Sequence, residues 1–297
     1  MDYRDHRPSL NATLLGLLVS GVGLRQCSRR LGLSRRCTEL KFHKIARHLR
    51  RLDLNLRRPL PAGSSLQFDE LESYEGRRNT RPLSIPILIE KETRYLIWAE
   101  AAPIRPRGKM TKARERAVLE DERRFGPRKD LSARSVERTL RRGVELTEGL
   151  ARVELFTDKK STYPSVATRL FGEDRLVHLT TDSKLARGTW NPLFPINHTE
   201  AMARDLVGRL RRESWLVSKK RRYLDLCLAL WATWRNYVRL RFNRDEQSPA
   251  QMLGFVERRM TEEQLLSWRQ DWGKKSVHPL ARGGRSIQQY EARRRAA

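Results

Sequence analysis

The chain has 297 residues, which is enough to bury one large core or two modest ones. It contains 62 Lys and Arg against 35 Asp and Glu, so its formal net charge is +27. This charge favours a nucleic acid as the partner, because basic side chains that neutralise phosphates release condensed counterions. It indicates a class of partner and leaves the activity open, since ribosomal and anionic-membrane proteins share it.

Cysteine spacing argues against a structural zinc site, and hydropathy argues against a membrane-spanning segment or a signal peptide. The three cysteines, Cys27, Cys37 and Cys227, lack the C-x-x-C spacing of a structural zinc site. The apolar run at 13–22 is too short to span a bilayer and is followed by no cleavage pattern. We therefore expect a soluble, cytoplasmic protein without a membrane partner.

Helical patterns fill residues 1–56. Asn11 is expected to cap a first helix, Gly32 to end a second, and Ser34 to cap a third. In the third helix, the apolar side chains expected to point inward are Leu40, Ile45 and Leu49. A helix, a glycine-containing turn and a further helix form the helix-turn-helix pattern. We predict a DNA-binding domain over 1–56.

The third helix would present polar side chains to DNA. Its outward N-terminal residues, expected at base edges, are Arg35, Arg36, Thr38 and Glu39, and those expected nearer phosphates are Lys41, Lys44 and Arg47. A plain three-helix packing unit with a solvated basic face is the structural alternative, since helical hairpins with a glycine turn are common.

A proline-containing linker at 57–65 precedes an acidic stretch, SLQFDELESYEG at 65–76. Leu66 and Phe68 fit a short strand that carries Asp69 and Glu70 out of its end. Glu72 and Glu75 follow. Four acids in seven residues of so basic a chain suggest a place for a divalent cation.

Further strands and helices follow in an α+β or α/β order. The segments 83–90 and 93–99 predict an antiparallel meander with the acidic strand, and Pro86 is expected at an edge or a bulge. Residues 101–136 are a basic insertion, either a loop or a lightly packed helix. A helix at 136–150, a strand at 153–156 that ends in Asp158, a helix to Leu170 and a strand at 175–180 are expected next.

The segment 195–218 predicts a helix with a basic side. Asn197 and Glu200 have the spacing of a capping box, which would explain Glu200 without any chemistry. Arg204, Arg211 and Arg212 form either a solvated face or a phosphate-binding one. A long helix over 219–241 is expected to bury its aromatic stripe. Trp268 and Trp272 are expected to dock the basic C-terminal segment 246–297 on the main domain.

Acids at the ends of neighbouring strands converge in space, which would bring Asp69 and Asp158 together. A third acid on a following helix, best placed at Glu200, could complete the cluster. Two or three carboxylates suit Mg²⁺ when the ion also binds phosphate oxygens and water, as in phosphodiester cleavage or transfer.

Four blocks in this order carry a resemblance to a known family: QFDELESYEG, LFTDKKSTYP, NHTEAMARDLVGRLRRESWLVSKK and WRNYVRLRFN. Together they resemble the catalytic domain of bacterial insertion-sequence transposases of the IS1 type, over roughly residues 67–243. The resemblance implies an RNase H-like fold with a DDE-type triad, Asp69 and Asp158 as metal ligands, and Mg²⁺ or Mn²⁺ as cofactor. It also implies double-stranded DNA as partner, both as sequence ends and as target, with a homo-oligomer that holds two ends on the bacterial nucleoid.

Two features depart from that family. Its cysteine-rich zinc module has no counterpart before the helix-turn-helix. The family's helix acid aligns with Asn197, so Glu200 lies one turn later, on the same helical face. Asp205 and Glu213 are weaker candidates for the third acid.

The sequence thus predicts an α/β protein with an N-terminal helix-turn-helix domain, an RNase H-like mixed-sheet catalytic domain at 66–245, and C-terminal helices. The predicted function is a DDE transposase that cleaves and joins the ends of an insertion sequence. A catalytically inactive DNA-binding remnant or repressor is the alternative. An RNase H-like nuclease that cuts without joining is a third reading.

Overall fold

The computed structural model describes residues 5–211 and 214–268. Three helices begin the chain as predicted: α1 (Leu10–Val19), α2 (Leu24–Leu31) and α3 (Arg35–Leu56). Gly32 ends α2 in the left-handed conformation with φ of 59°, and Ser34 Oγ caps α3 by accepting from the Cys37 amide at 3.1 Å. The predicted cap at Asn11 is wrong, because α1 starts one residue earlier and Asn11 is buried inside it.

Two of the three apolar side chains of α3 that were predicted to point inward are buried. Ile45 and Leu49 are fully buried, whereas Leu40 is 55% exposed. Leu40 was predicted to point inward, and that prediction is wrong. It belongs to the exposed side of α3, where it adjoins the basic N-terminal turn.

A six-stranded mixed sheet forms the centre of the molecule and confirms the α/β class. The strand order is β3-β2-β1-β5-β6, with a short β4 paired to β2. β1, β2 and β3 run antiparallel, and β1, β5 and β6 run parallel. The strands are β1 (Ser65–Tyr74), β2 (Pro82–Glu90), β3 (Leu96–Ala99), β4 (Ala102–Pro103), β5 (Val153–Asp158) and β6 (Leu176–Thr181).

Pro86 lies inside β2, which pairs with β1 along its whole length. Proline has no N–H group to donate, so its place in this strand depends on the neighbour on the other side of β2. On the other side of β2, β4 pairs only with Leu83 and Ser84, and β3 pairs only from Ile87 onward. Pro86 falls in the gap between these two partners, so on that side of β2 it occupies a local edge position, where proline is tolerated.

Helices cover both faces of the sheet. Residues 101–136 form a lightly packed helix followed by the start of another, which decides between the two predicted forms of the insertion. None of the helices in the described ranges is long and apolar enough to cross a bilayer. These later helices are α4 (Lys112–Phe125), α5 (Ser132–Leu146), α6 (Tyr163–Phe171), α7 (Phe194–Leu206), a 3₁₀ turn (Gly208–Leu210), α8 (Arg221–Tyr237), α9 (Pro249–Met252) and α10 (Glu262–Ser267).

The alternation of β1 divides the core into two clusters. Leu66 and Phe68 pack with α3, α5 and α6, whereas Leu71 packs on the opposite face with α7 and α8. Close packing of α5 depends on Gly143. A Cβ atom there would lie 2.9 Å from Leu88 Cδ2, so a larger residue would force this buried side chain to shift.

A buried polar network joins α3 to the sheet and to α8. Asp53 accepts hydrogen bonds from the hydroxyls of Tyr95 at 2.8 Å and Tyr237 at 3.2 Å, and pairs with Arg57 one turn along α3. Burial of Tyr95, followed by the charge of Asp53, raises the pKa of the Tyr95 hydroxyl, so that hydroxyl remains a donor. The network holds the N-terminal helices firmly against the sheet, and the predicted domain boundary at 57–65 stays a prediction.

The last described residues dock on the N-terminal helices. Trp268 is 7% exposed, and its ring centroid lies 5.6 Å from that of His48. Burial of Trp268 agrees with the predicted docking, but the ring that it contacts belongs to α3 of the N-terminal helices, whereas the main domain was the predicted partner. Trp231 of α8 is buried as the predicted stripe required. Trp272 and the remainder of the predicted C-terminal segment lie outside the described residues.

Candidate acidic site on the central strands

Asp69 and Asp158 lie on the same face of adjacent parallel strands. Gln67 of β1 pairs with Phe156 of β5, and two residues further along this register Asp69 stands beside Asp158. Asp158 ends β5 as predicted. Asp69 was predicted to follow the end of its strand, but β1 continues to Tyr74, so Asp69 lies at mid-strand.

The environment of Asp69 disfavours its ionised form. Burial, followed by the charge of Asp158, raises the pKa of Asp69 to about 6. The Glu70 amide, which donates to Asp69 Oδ1 at 2.7 Å, and the charge of Arg187 oppose this shift. Asp158 Oδ1 accepts from the Lys160 amide at 3.1 Å. Two partly buried carboxylates that repel each other are a donor set suited to a divalent cation.

The other acids of the 65–76 stretch do not join this pair. Glu70 points to the opposite face, where its carboxylate accepts from Ser84 at 2.6 Å and Tyr163 at 2.7 Å and pairs with Lys160. Glu72 is exposed, and Glu75 pairs with two arginines. The predicted four-acid cluster is therefore wrong, because strand alternation separates its members.

Gln67 fixes the helix that follows the site, a role that sequence reasoning missed. Its Oε1 accepts from the Ile196 amide of α7 at 3.0 Å, and its Nε2 donates to the Pro192 carbonyl at 2.7 Å. Gln67 lies two residues before Asp69 on the same face of β1. These bonds therefore hold the start of α7, and the loop before it, next to the acidic pair.

The predicted capping box at Asn197 and Glu200 is wrong, because α7 already begins at Phe194 and both residues lie inside it. Glu200 is half-buried, one turn beyond Ile196. Within residues 5–211 and 214–268, no three His, Cys, Asp or Glu side chains form a group that could hold a metal ion. The structure thus brings Asp69 and Asp158 together without Glu200, and the metal role of Glu200 stays a prediction.

The loop 182–193 contributes one further charge near the pair and carries an exposed tryptophan. Arg187 is close enough to lower the pKa of Asp69, as stated above. Trp190 is 96% exposed. Asn191 orders the loop, since its side chain donates to the Ala186 carbonyl at 3.0 Å and accepts from the Leu193 amide at 2.8 Å. Sequence reasoning passed over this loop, although a tryptophan and an arginine between a strand and a helix were a visible signal.

The predicted DNA-contacting residues of α3 separate into two groups. Arg35 and Arg36 are exposed. Thr38 is fully buried, with its hydroxyl donating to the Ser34 carbonyl at 3.0 Å, and Lys41 is 3% exposed, with Nζ 2.5 Å from Asp5 Oδ1. The prediction that Thr38 and Lys41 contact DNA is therefore wrong for this conformation, because both side chains are enclosed by the protein.

Two other side chains predicted at the DNA face of α3 have partners within the protein. Lys44 is half-buried, with Nζ 3.7 Å from Asp5 Oδ2. The carboxylate of Glu39 accepts from the Tyr223 hydroxyl of α8, so it is engaged at the contact between these helices. Of the predicted base-reading set, the two arginines at the start of α3 are the exposed members.

The basic side chains at the end of α7 and after it are placed separately. Arg204 donates to the Glu72 carbonyl at 3.2 Å. Arg211 is exposed and donates to the Asp205 carbonyl at 3.0 Å, beside the turn between α1 and α2. A Cβ atom on Gly208 would lie 2.4 Å from the Gly21 carbonyl oxygen, so the two backbones meet directly at this turn. Arg212 and Glu213 lie outside the described residues.

Replacing Asp69 by asparagine should stabilise the metal-free protein above pH 6. The folded-state pKa of about 6 exceeds the ordinary value of 3.8, so the penalty for ionising Asp69 is absent below about pH 4 and complete above about pH 6. We expect roughly 2 to 3 kcal/mol more unfolding free energy at pH 8 and no gain at pH 4. Urea unfolding in EDTA measures this, with the exposed Glu72→Gln as control; an equal gain at both pH values would contradict it.

Comparisons with known proteins add little to this description. No family model matches the chain, and no curated protein sequence matches it. Among solved structures, a chain of the simian T-cell lymphotropic virus intasome in complex with PP2A regulatory subunit B56 gamma is similar over 81% of this chain and 71% of that chain. The TM-score is 0.30 and the sequence identity 10%, which is too distant to establish a shared fold.

Proposed function

We propose that the protein is a DDE-type transposase that cleaves and joins DNA at the ends of an insertion sequence. The observation that carries the proposal is the Asp69 and Asp158 pair, two carboxylates held on one sheet face by adjacent parallel strands. The net charge of +27 supports DNA as the substrate. The sequence blocks shared with IS1-type transposases support transposition as the reaction.

Each residue of the acidic site has a definite role in this proposal. Asp69 and Asp158 bind Mg²⁺ or Mn²⁺, which supplies activation of a water or 3′-hydroxyl nucleophile and stabilisation of the leaving oxygen. Gln67 positions α7 and the preceding loop. Arg187 binds a DNA phosphate beside the pair, and Glu200 is assigned as the third acidic ligand.

Binding of the DNA ends is assigned to the N-terminal helices, read as a helix-turn-helix. Arg35 and Arg36 lie exposed at the start of α3 and approach the duplex, and Arg211 contacts a phosphate beside the α1–α2 turn. Two copies of the chain hold the two ends of the insertion sequence. The cellular site of action is the bacterial nucleoid.

A DNA-binding protein without catalysis is the second candidate. It is favoured by one observation, that the described residues contain no group of three metal-ligating side chains. Such a protein would occupy the ends of the insertion sequence as a repressor or as the remnant of an active element.

Strand cleavage separates the two candidates. A labelled duplex carrying the DNA that flanks the coding sequence is incubated with Mg²⁺ or Mn²⁺ and either the wild type or Glu200→Gln. Cleavage that is lost in the variant supports the transposase and the third acid. Cleavage that persists in the variant rejects Glu200 as a ligand. Tight binding by both proteins without any cleavage supports the second candidate.

Replacing Arg35 and Arg36 by alanine should weaken duplex binding and flatten its salt dependence. Each neutralised phosphate contributes about 0.9 to the slope of log K against log salt, so the double variant should lose roughly 1.8 from that slope. Fluorescence anisotropy across a salt series measures the slope, and Arg134→Ala, an exposed change on α5, is the control. An unchanged slope would identify the N-terminal helices as a packing unit.

A further inference from the structure

A second basic feature lies away from the acidic pair, in a cavity of about 460 Å³ between α7 and the segment that follows α8. We call it the arginine pocket. Its lining includes His198 of α7, Arg239, Arg241, Phe242 and Arg244. Neither the predicted site nor the predicted DNA-binding set uses any of these residues.

Two more arginines are buried next to the lining of the arginine pocket. Arg235 of α8 is 1% exposed, and its guanidinium donates to Thr199 Oγ1 at 3.4 Å. Its Nε has no hydrogen-bond partner among the described groups. Arg94 is 6% exposed, its guanidinium carbon lies 4.2 Å from the centre of the Phe242 ring, and its Nη1 lies 2.8 Å from His198 Nδ1.

The positive charges of these arginines repel one another. Burial, followed by the charges of Arg94 and Arg239, lowers the pKa of Arg235 to about 9. Burial, followed by the charge of Arg241, lowers the pKa of Arg94 to about 10. A guanidinium can only donate hydrogen bonds, so His198 Nδ1 accepts from Arg94.

Nearby acids compensate for only part of this charge. Asp245 pairs with Arg241 at 2.8 Å, and it is the acid that lines the cavity. Glu92 acts on Arg94 from an exposed position. A buried guanidinium without a neutralising partner costs several kcal/mol, and an anion in the cavity would recover much of that cost.

We propose that the arginine pocket binds a phosphate group of the DNA backbone. Arg239 and Arg244 contact the phosphate from the walls of the cavity, and Arg94 and Arg235 contribute charge from behind it. Because His198 and Glu200 lie on the same helix, a strand held here is fixed relative to α7 and to the acidic pair. The choice of DNA as the source of the phosphate rests on the proposed function, whereas the preference for an anion does not.

The test uses the full chain and the double variant Arg239→Gln, Arg244→Gln, with Arg258→Gln and Arg259→Gln as an exposed control pair. Inorganic pyrophosphate is titrated by thermal shift, and duplex DNA by anisotropy across a salt series. We expect the pocket variant alone to lose stabilisation by pyrophosphate, to bind DNA at least tenfold more weakly at low salt, and to lose roughly 2 from the salt slope.

Three results other than the expected one would each have a different consequence for the arginine-pocket proposal. A loss of DNA affinity without an effect on pyrophosphate still supports a backbone phosphate, held with contacts that pyrophosphate lacks. A loss of pyrophosphate binding with unchanged DNA affinity overturns the DNA assignment in favour of a free phosphate ligand. If neither binding differs from the control pair, the proposal fails. Cleavage by the pocket variant that still requires Asp158 would then leave the transposase proposal standing.

Discussion

Replacing Asp158 by asparagine should reduce strand cleavage by at least about 10³-fold and leave duplex binding nearly unchanged. The substitution keeps the shape of the side chain and removes one of the two charges that would hold the cation. Loss of about 4 kcal/mol of transition-state stabilisation corresponds to a rate loss of this size. Single-turnover cleavage measures the rate, and anisotropy measures binding.

Asp182→Asn is the matched control for this prediction. Asp182 is also an aspartate near the end of a parallel strand, but it is only half-buried and its carboxylate lies 3.3 Å from Lys159 Nζ. We expect nearly wild-type cleavage from this variant. Because residues of one metal site act together, Asp69→Asn combined with Asp158→Asn should be scarcely worse than either change alone. Retained cleavage in Asp158→Asn would reject the acidic pair as the site of reaction.

Replacing Asp53 by alanine should destabilise the protein by about 3 to 5 kcal/mol. The change removes the carboxylate that pairs with the buried guanidinium of Arg57, and it removes the acceptor of the Tyr95 and Tyr237 hydroxyls. Urea unfolding monitored by tryptophan fluorescence measures the loss. The expected effect is large because the network joins α3, the sheet and α8.

The conservative variant Tyr95→Phe is the companion measurement. It removes one hydrogen bond and leaves the ion pair intact, so about 1 kcal/mol is expected. A loss below about 1 kcal/mol in Asp53→Ala would mean that water reaches Arg57 and that the contact between α3 and the sheet is loose. Two separate unfolding transitions would instead support an independent domain over residues 1–56.

Local sequence patterns were sufficient to predict most of the sheet and the position of Asp158 in the acidic pair. The compact apolar run at 153–156 placed Asp158 at a strand end, and Gly32 and Ser34 marked the ends of their helices. The length of β1 could not be predicted in this way. Acids at three of its last six positions contradict strand propensity, and they are accommodated because β2 pairs with β1 along its full length.

The start of α7 is marked in the sequence by a proline in the first turn of the helix. Pro195 stands in the first turn of the helix, where its missing N–H costs nothing, whereas Asn197 suggested a later start. The correction matters for function. It moves Glu200 from a capping position to the second turn of a helix that Gln67 fixes beside Asp69.

Burial of Thr38 and Lys41 could not be predicted from helical periodicity alone. Lys41 is enclosed because Asp5 and Asn11 supply acceptors for its ammonium group, and these residues lie 30 or more positions away in the sequence. The arginine pocket is likewise tertiary, since Arg94, His198 and Arg235 come from three distant segments.

Iron-directed cleavage of the protein backbone tests the acidic pair most directly. Fe²⁺ with ascorbate and peroxide cuts a chain next to the bound metal, so in the presence of duplex DNA we expect fragments that end near residues 69 and 158. Both cuts should disappear with excess Mg²⁺ and in Asp69→Asn, and should persist in Asp182→Asn. Cuts elsewhere, or cuts at these positions that survive Asp69→Asn, would contradict a metal site formed by Asp69 and Asp158.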